Sequence, residues 1–440
     1  MKNPKQQKII SITMIIATTV MIILRFLLNE KGRVNPDSIR YQRFASVLPE
    51  IDNTVTPLGY PLGIKFFTFF GFDEFWSSKL LGILAYFFIL YFAWKKKFYF
   101  KESLVMMALF SYVSIFSFTM SEPMILPFVF VFLYISKNVI LGKISGFKSV
   151  FWLSLFLILL YNIRYSALFI ISGTAVFGIL NYKKNYGKRF LFSGIIGLLF
   201  IILYKFTFID YFNEDYVDQW LSIGLHPTSK LLVELFQGLT TSFNPFIHIA
   251  NPAGGMVNYA IYGIGLLNIF LIVFLFIKNK LNETEKFFVF ISVFSIICSY
   301  FIQYFYSVNA IDYRLMSPFI LPIWLIYFNK IFQIFGKATY TIAVFSLLTG
   351  FAFTWLSKGN YLENRKEISQ FLKEEKFENK KITFFLTDEK NLEEMQVAEL
   401  ISTVNPRVYI TFKPEDTLKN TTFWRERVLR KIKIDKNKYQ

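Results

Sequence analysis

Eleven apolar runs dominate this 440-residue chain, and most approach the about 20 residues that an α-helix needs to cross a bilayer. In hydrocarbon every backbone N–H and C=O must be satisfied within the protein, so runs of this kind have to be helices or be enclosed by helices. They are Ile9 to Leu28, Ser77 to Trp94, Leu104 to Met120, Met124 to Leu141, Val150 to Tyr161, Tyr165 to Leu180, Leu191 to Phe208, Val257 to Ile277, Phe287 to Tyr306, Phe319 to Phe335 and Thr339 to Trp355. Val150 to Tyr161 is short enough to be either a span or a re-entrant segment. The first run has no small-residue cleavage site after a short apolar core, so it reads as an uncleaved span rather than a signal peptide. Charged residues make up only 18% of the chain, against roughly 25% in soluble domains. The sequence therefore predicts an all-α polytopic membrane protein with about eleven spans.

The net charge of +18 does not mark a nucleic-acid partner, because the basic residues are not gathered in one patch. They lie in short loops: Lys95 to Lys97 and Lys101; Lys137, Lys143 and Lys148; Lys183, Lys184, Lys188 and Arg189; Lys278, Lys280 and Lys286; Lys330 and Lys337. With the N-terminus cytoplasmic, every one of these loops falls on the cytoplasmic side, as positive loops should. Residues 29–76 and 209–256 then form long outer loops, and the C-terminus is extracytoplasmic. The single cysteine, Cys298, excludes an intrachain disulfide and reads as a small core residue.

After Trp355 the composition turns polar, with both signs of charge. Residues 1–356 thus read as the membrane domain and 357–440 as a water-soluble appendage. In the appendage, Ile382 to Leu386 and Val408 to Phe412 read as strands and Glu389 to Ile401 as an amphipathic helix, giving a small α/β fold. Arg425 to Lys438 reads as a solvated or membrane-surface helix.

Ionisable groups are scarce in the middle of the spans, where transporters hold substrate and coupling ions. The polar motifs lie instead near the outer ends. In Asn35-Pro36-Asp37, Asn35 can cap a helix that starts at Pro36, a proline loses no hydrogen bond there, and the helix dipole favours negative charge at Asp37. Tyr41, Ala45 and Leu48 follow at spacings that share its face. Asp37 is then a candidate general base at the membrane surface, or simply a favourable helix-start charge. Residues 57–65, with Tyr60 and Lys65, read as turns that close the first loop. Ser121-Glu122-Pro123 joins two spans tightly enough to place Glu122 at the membrane surface. Arg164 and Arg314 each neighbour a Tyr at the outer end of a span. Such arginines anchor helices to headgroups or hold phosphate through paired N–H donors. Arg40 and Lys65 are further outer cations. His226 and His248 are too isolated to make a zinc site and read as structural or surface residues, while Asp215, Asp218 and His226 are polar groups of the second outer loop.

These motifs, taken in order, are Asp-x-x-x-Tyr-x-x-x-Ala, Gly-Tyr-Pro-Leu, Ser-Glu-Pro, Arg-Tyr-Ser-Ala-Leu and Tyr-Arg-x-x-x-Pro-x-x-x-Pro. Over residues 1–322 they resemble the GT-C membrane glycosyltransferases, nearest to bacterial relatives of protein mannosyltransferases and the aminoarabinose transferase. The resemblance implies a GT-C fold, a polyprenyl-phosphate-linked sugar as donor, transfer outside the cytoplasm and Asp37 as catalytic base. Glu122, with Tyr41 and Tyr60, would form the pocket or meet the acceptor, and Arg314, Arg164, Lys65 and Arg40 would hold the donor phosphate. Ser38 and Thr56 stand where the family often has a second acidic residue or a His, so the resemblance names no required cofactor and leaves a divalent metal and the mode of acceptor binding open. The expected partners are the lipid-linked sugar, membrane lipids and an unidentified acceptor, with no nucleic acid. The Lys-, Ile- and Phe-rich usage suggests an AT-rich bacterial genome and so the cytoplasmic membrane. A lipid-linked glycan flippase or other transporter is the alternative, and a non-catalytic scaffold leaves the ordered outer motifs without a reason.

Overall fold

A computed structural model describes residues 4–213, 228–249, 254–305, 310–388 and 391–432. Its described residues are predominantly helical, and eight helices among them are long and apolar enough to cross a membrane. They are α1 (Pro4–Leu27), α4 (Glu74–Lys96), α7 (Glu122–Ile140), α8 (Gly146–Ile163), α10 (Asn185–Phe212), α12 (Met256–Lys278), α13 (Glu283–Phe305) and the stretch Tyr313–Leu356. The last holds two of the predicted runs, as α14 (Tyr313–Phe335) and α15 (Tyr340–Leu356), joined by a 3-10 turn at Gly336–Thr339. Val150 to Tyr161 belongs to a full-length helix, α8, which favours a span over a re-entrant segment. Shorter helices are α2 (Pro36–Val47), α3 (Gly59–Thr68), α5 (Phe100–Met107), α6 (Phe110–Phe116), α9 (Leu168–Leu180) and α11 (Thr228–Ser242). The chain is an integral membrane protein.

Leu104 to Met120 was expected to be one span and is not. It divides into α5 and α6, followed by a non-helical stretch. Residues Leu104 to Met120 are all buried, so a break that would be prohibitive against lipid is tolerated inside protein. The backbone N–H of Phe110 at the break donates to Ser346 Oγ at 2.8 Å.

The chain forms two compact units. The first comprises Met1–Thr18, Ala85–Ile115 and Ser121–Gly350 and holds most of the span helices. Small residues allow its helices to approach closely. A Cβ added to Gly194 of α10 would lie 2.6 Å from the Cβ of Ala175 in α9, and one on Gly197 would lie 2.8 Å from Ile171. Buried polar links add specificity: Tyr327 Oη donates to Asn268 Oδ1 at 2.7 Å, while Asn268 Nδ2 donates to the Phe243 carbonyl at 2.8 Å. Cys298, expected in the core, is half-buried.

The second unit comprises Thr19–Leu84, Phe116–Met120 and Phe351–Gln440. Its C-terminal part is the expected α/β fold, with α16 (Tyr361–Glu374), β1 (Ile382–Phe385), α17 (Leu392–Ser402), β2 (Val408–Thr411), β3 (Thr422–Phe423) and α18 (Arg425–Leu429). The sheet has order β2-β1-β3 and is parallel throughout, with Ile382 opposite Val408 and Thr383 opposite Thr422. Parallel sheets need cover on their faces, and α16 and α17 supply it with Ile368, Phe371, Leu372, Val397 and Ile401. Ile39 of α2 belongs to the same core, so the helix that carries Asp37 is packed into the appendage. Among the described residues the basic end forms the five-residue α18, with Val428 in the core, and 433–440 lie outside them.

Candidate functional site

In the second unit α2 begins as its sequence predicts. The Asn35 side chain accepts from the Ser38 N–H at 3.0 Å, and Ser38 Oγ accepts from the Asn35 N–H at 3.1 Å, a reciprocal capping box with Pro36 in the first turn. Asp37 follows in that first turn. Its side chain is 47% exposed and lies 3.7 Å from Arg40, itself 37% exposed, so the pair contributes little to stability. Most of the remaining helix is buried, including Tyr41, Gln42, Phe44 and Ala45.

Residues 57–65 are not the turns expected. From Gly59 onward they fold as helix α3, which tolerates Pro61 in its first turn, where the missing N–H would have had no helical partner. The helix buries Tyr60 completely, with its ring edge-on to Tyr41 at 5.0 Å between centroids. Lys65 is half-buried in the last turn, followed by exposed Phe66, Phe69 and Phe70.

The appendage contributes a carboxylate that the motif reading passed over. Glu399 of α17 is 2% exposed and ion-paired with Lys31 of the first loop. Burial pushes its carboxyl up to about 7; Lys31 opposes that shift, while the negative charges of Glu30 and Asp37 reinforce it. Asp37 and Glu399 are therefore electrostatically coupled although 362 positions separate them in the chain. Arg43 and Asp52 pair at 2.9 Å, and the Arg43 guanidinium also lies over the Tyr409 ring of β2 at 4.4 Å. Lys79 is a second omission. Only 2% exposed, it donates to the Ser117 carbonyl at 2.8 Å and lies 4.8 Å from the Phe75 ring centroid. It thereby satisfies backbone in the non-helical stretch after α6.

In the first unit Glu122 opens α7 as expected, and its side chain is buried within the protein. Its partner is Arg164, which ends α8 in an extended conformation and places Nη1 3.0 Å from Glu122 Oε1 and 3.3 Å from Ser121 Oγ. Its Nε donates to Ser166 Oγ at 3.0 Å. The two tight turns at Ser121 and Arg164 thus meet. Arg314 begins α14 beside Asp312, whose Oδ1 caps the helix by accepting from the Arg314 and Leu315 N–H groups at 3.0 and 3.1 Å. Asp312 Oδ2 accepts from Arg314 Nε at 2.8 Å, and the charges of both Asp312 and Glu122 act on this guanidinium.

His248 is 4% exposed, its ring 4.0 Å from that of Tyr313 and 4.6 Å from that of Phe110 between centroids, in keeping with a structural role. Beside it a cavity of about 460 Å³ is lined by His248, Asp312, Glu234, Gln237 and Asn258. His226, Asp215 and Asp218 lie outside the described residues. Among the described residues no three His, Cys, Asp or Glu side chains converge as metal ligands would.

No protein-family model matches the chain, and no curated protein matches it. Among solved structures it is similar to the crystal structure of ArnT from Cupriavidus metallidurans in the apo state, at 12% sequence identity and a TM-score of 0.42. The match covers 97% of this chain and 89% of that one.

Proposed function

We propose that this protein is a membrane glycosyltransferase of the GT-C type, which moves one sugar from a polyprenyl phosphate to an extracytoplasmic acceptor. The observation that carries the reading is Asp37, a half-exposed carboxylate in the first turn of a capped helix whose other side chains are largely buried. A base of this kind needs access to its substrate and a fixed backbone, and the capping box together with Ile39 in the appendage core supplies the second.

In the proposed reaction the acceptor O–H loses its proton to Asp37 as its oxygen bonds to the anomeric carbon. The bond from that carbon to the phosphate oxygen breaks, and the polyprenyl phosphate leaves with the bonding pair. Arg314 and Arg164 are assigned to the departing phosphate, with Lys65 and Arg40 as further cations, because guanidinium groups match phosphate with paired donors. Glu122 holds Arg164 in its present orientation, and Tyr41 and Tyr60 are assigned to the acceptor side. The 357–440 appendage is assigned to the same extracytoplasmic side, in a bacterial cytoplasmic membrane.

The test is transfer of sugar in membranes supplied with a polyprenyl-phosphate sugar. General-base help is worth about 10²- to 10⁴-fold, so Asp37→Asn is expected to lower the rate by that factor while the protein stays inserted. Undiminished transfer by this variant would refute the role of Asp37. Movement of a lipid-linked glycan across the bilayer without any transfer would favour the transporter instead.

A further inference from the structure

The lysine-rich ends of the spans hold two cavities, both within the first unit, that share residues. One, of about 620 Å³, is lined by Lys97, Lys101, Lys137 and Lys330 together with Glu102 and Glu285. Glu285 is ion-paired with Lys330 at 2.9 Å, their side chains 4% and 8% exposed, and Glu102 Oε1 accepts from Asn329 Nδ2 at 2.9 Å. Four lysines against two carboxylates leave the lining with a net charge of +2. Among the described residues no carboxylate is ion-paired with Lys97, Lys101 or Lys137.

The second cavity, of about 720 Å³, is an apolar groove that includes Ile12 and Ile15 of α1 and Phe87 and Leu90 of α4. Trp94 and Phe100 line both cavities, so the groove adjoins the lysine chamber. A small soluble anion would have no use for the groove, and a neutral lipid would have none for the lysines. A molecule with a phosphate at one end and a hydrocarbon chain at the other uses both.

We propose that these joined cavities bind an anionic phospholipid, with its phosphate among Lys97, Lys101 and Lys137 and one acyl chain along the α1 and α4 groove. This site is distinct from the residues assigned to sugar transfer and does not depend on that assignment. Trp94 at the junction is 62% exposed, and aromatic rings of this kind suit the headgroup level, where the phosphate would lie.

Native mass spectrometry of the purified full chain, titrated with dioleoyl phosphatidylglycerol or dioleoyl phosphatidylcholine, tests this. The protein is expected to retain phosphatidylglycerol preferentially, and millimolar inorganic phosphate is expected not to displace it. A lysine near an anionic headgroup is worth about one kcal/mol, so the double variant Lys101→Gln and Lys137→Gln should weaken retention roughly 30-fold. Lys137→Arg should preserve it, and Ile12→Trp, which fills the groove without removing a charge, should reduce it.

Equal retention of the two lipids, or displacement by inorganic phosphate alone, would overturn the proposal, the latter by showing a site for a free anion. Unchanged retention by the double variant would overturn it equally. Should the double variant fail to fold, unchanged retention by Ile12→Trp overturns it. Loss of phosphatidylglycerol without loss of sugar transfer separates this site from the catalytic reading.

Discussion

Replacing Glu399 with Gln should remove a pH dependence from the stability of the second unit. Glu399 is 2% exposed, and burial raises its carboxyl from 4.5 to about 7 despite the ion pair with Lys31. In the unfolded chain the same group titrates near 4.5. Between those two pH values the folded unit holds a proton that the unfolded chain has released, so stability falls as pH rises. The contribution is fully present below 4.5 and is lost once pH has passed about 7. The displacement corresponds to about 3 kcal/mol, or about two orders of magnitude in the opening equilibrium.

Hydrogen exchange reads this locally, through peptides spanning β1 and α17 in detergent-solubilised protein, after correction for intrinsic exchange. The wild type should lose about two orders of magnitude of protection between about pH 4.5 and pH 7.5, and Glu399→Gln should hold its protection nearly constant over that window. Parallel losses in the two proteins would refute the argument, since groups other than Glu399 would then cause the fall.

Other perturbations test the first unit. Arg164→Ala leaves Glu122 buried beside Ser121 without its guanidinium, and should destabilise the protein by about 3 to 5 kcal/mol, seen as a lower melting temperature. Adding Glu122→Gln should recover much of that loss, and no recovery would show that Arg164 acts elsewhere. Gly194→Leu forces a side chain into the α9 and α10 contact and should cost about 1 to 3 kcal/mol or more, read as reduced thermal stability, whereas Gly263→Leu, where nothing lies within 4 Å of an added Cβ, should not.

Local physics made much of this protein legible. Bilayer thickness fixes how long an apolar run must be, so Met124 to Leu141 or Val257 to Ile277 announces a helix without reference to any neighbour. The Asn35 and Pro36 start, and the strands at Ile382 and Val408, likewise depend on residues a few positions apart. The failures occur where a distant partner decides. Leu104 to Met120 has span-like composition, yet it breaks because surrounding protein can satisfy its backbone, as Ser346 does for Phe110. Pro61 reads as a turn signal until its place in a first helical turn is known.

The electrostatics divide in the same way. The sequence alone determined that the chain enters a membrane, where its lysines collect, and that Asp37 stands in a helix's first turn. Tertiary structure alone decided that Glu122 is buried against Arg164, that Lys31 reaches Glu399, and that Asp37 feels a carboxylate near the other end of the chain. Composition and period act over a few residues, whereas burial and ion pairing depend on which segments the fold brings together.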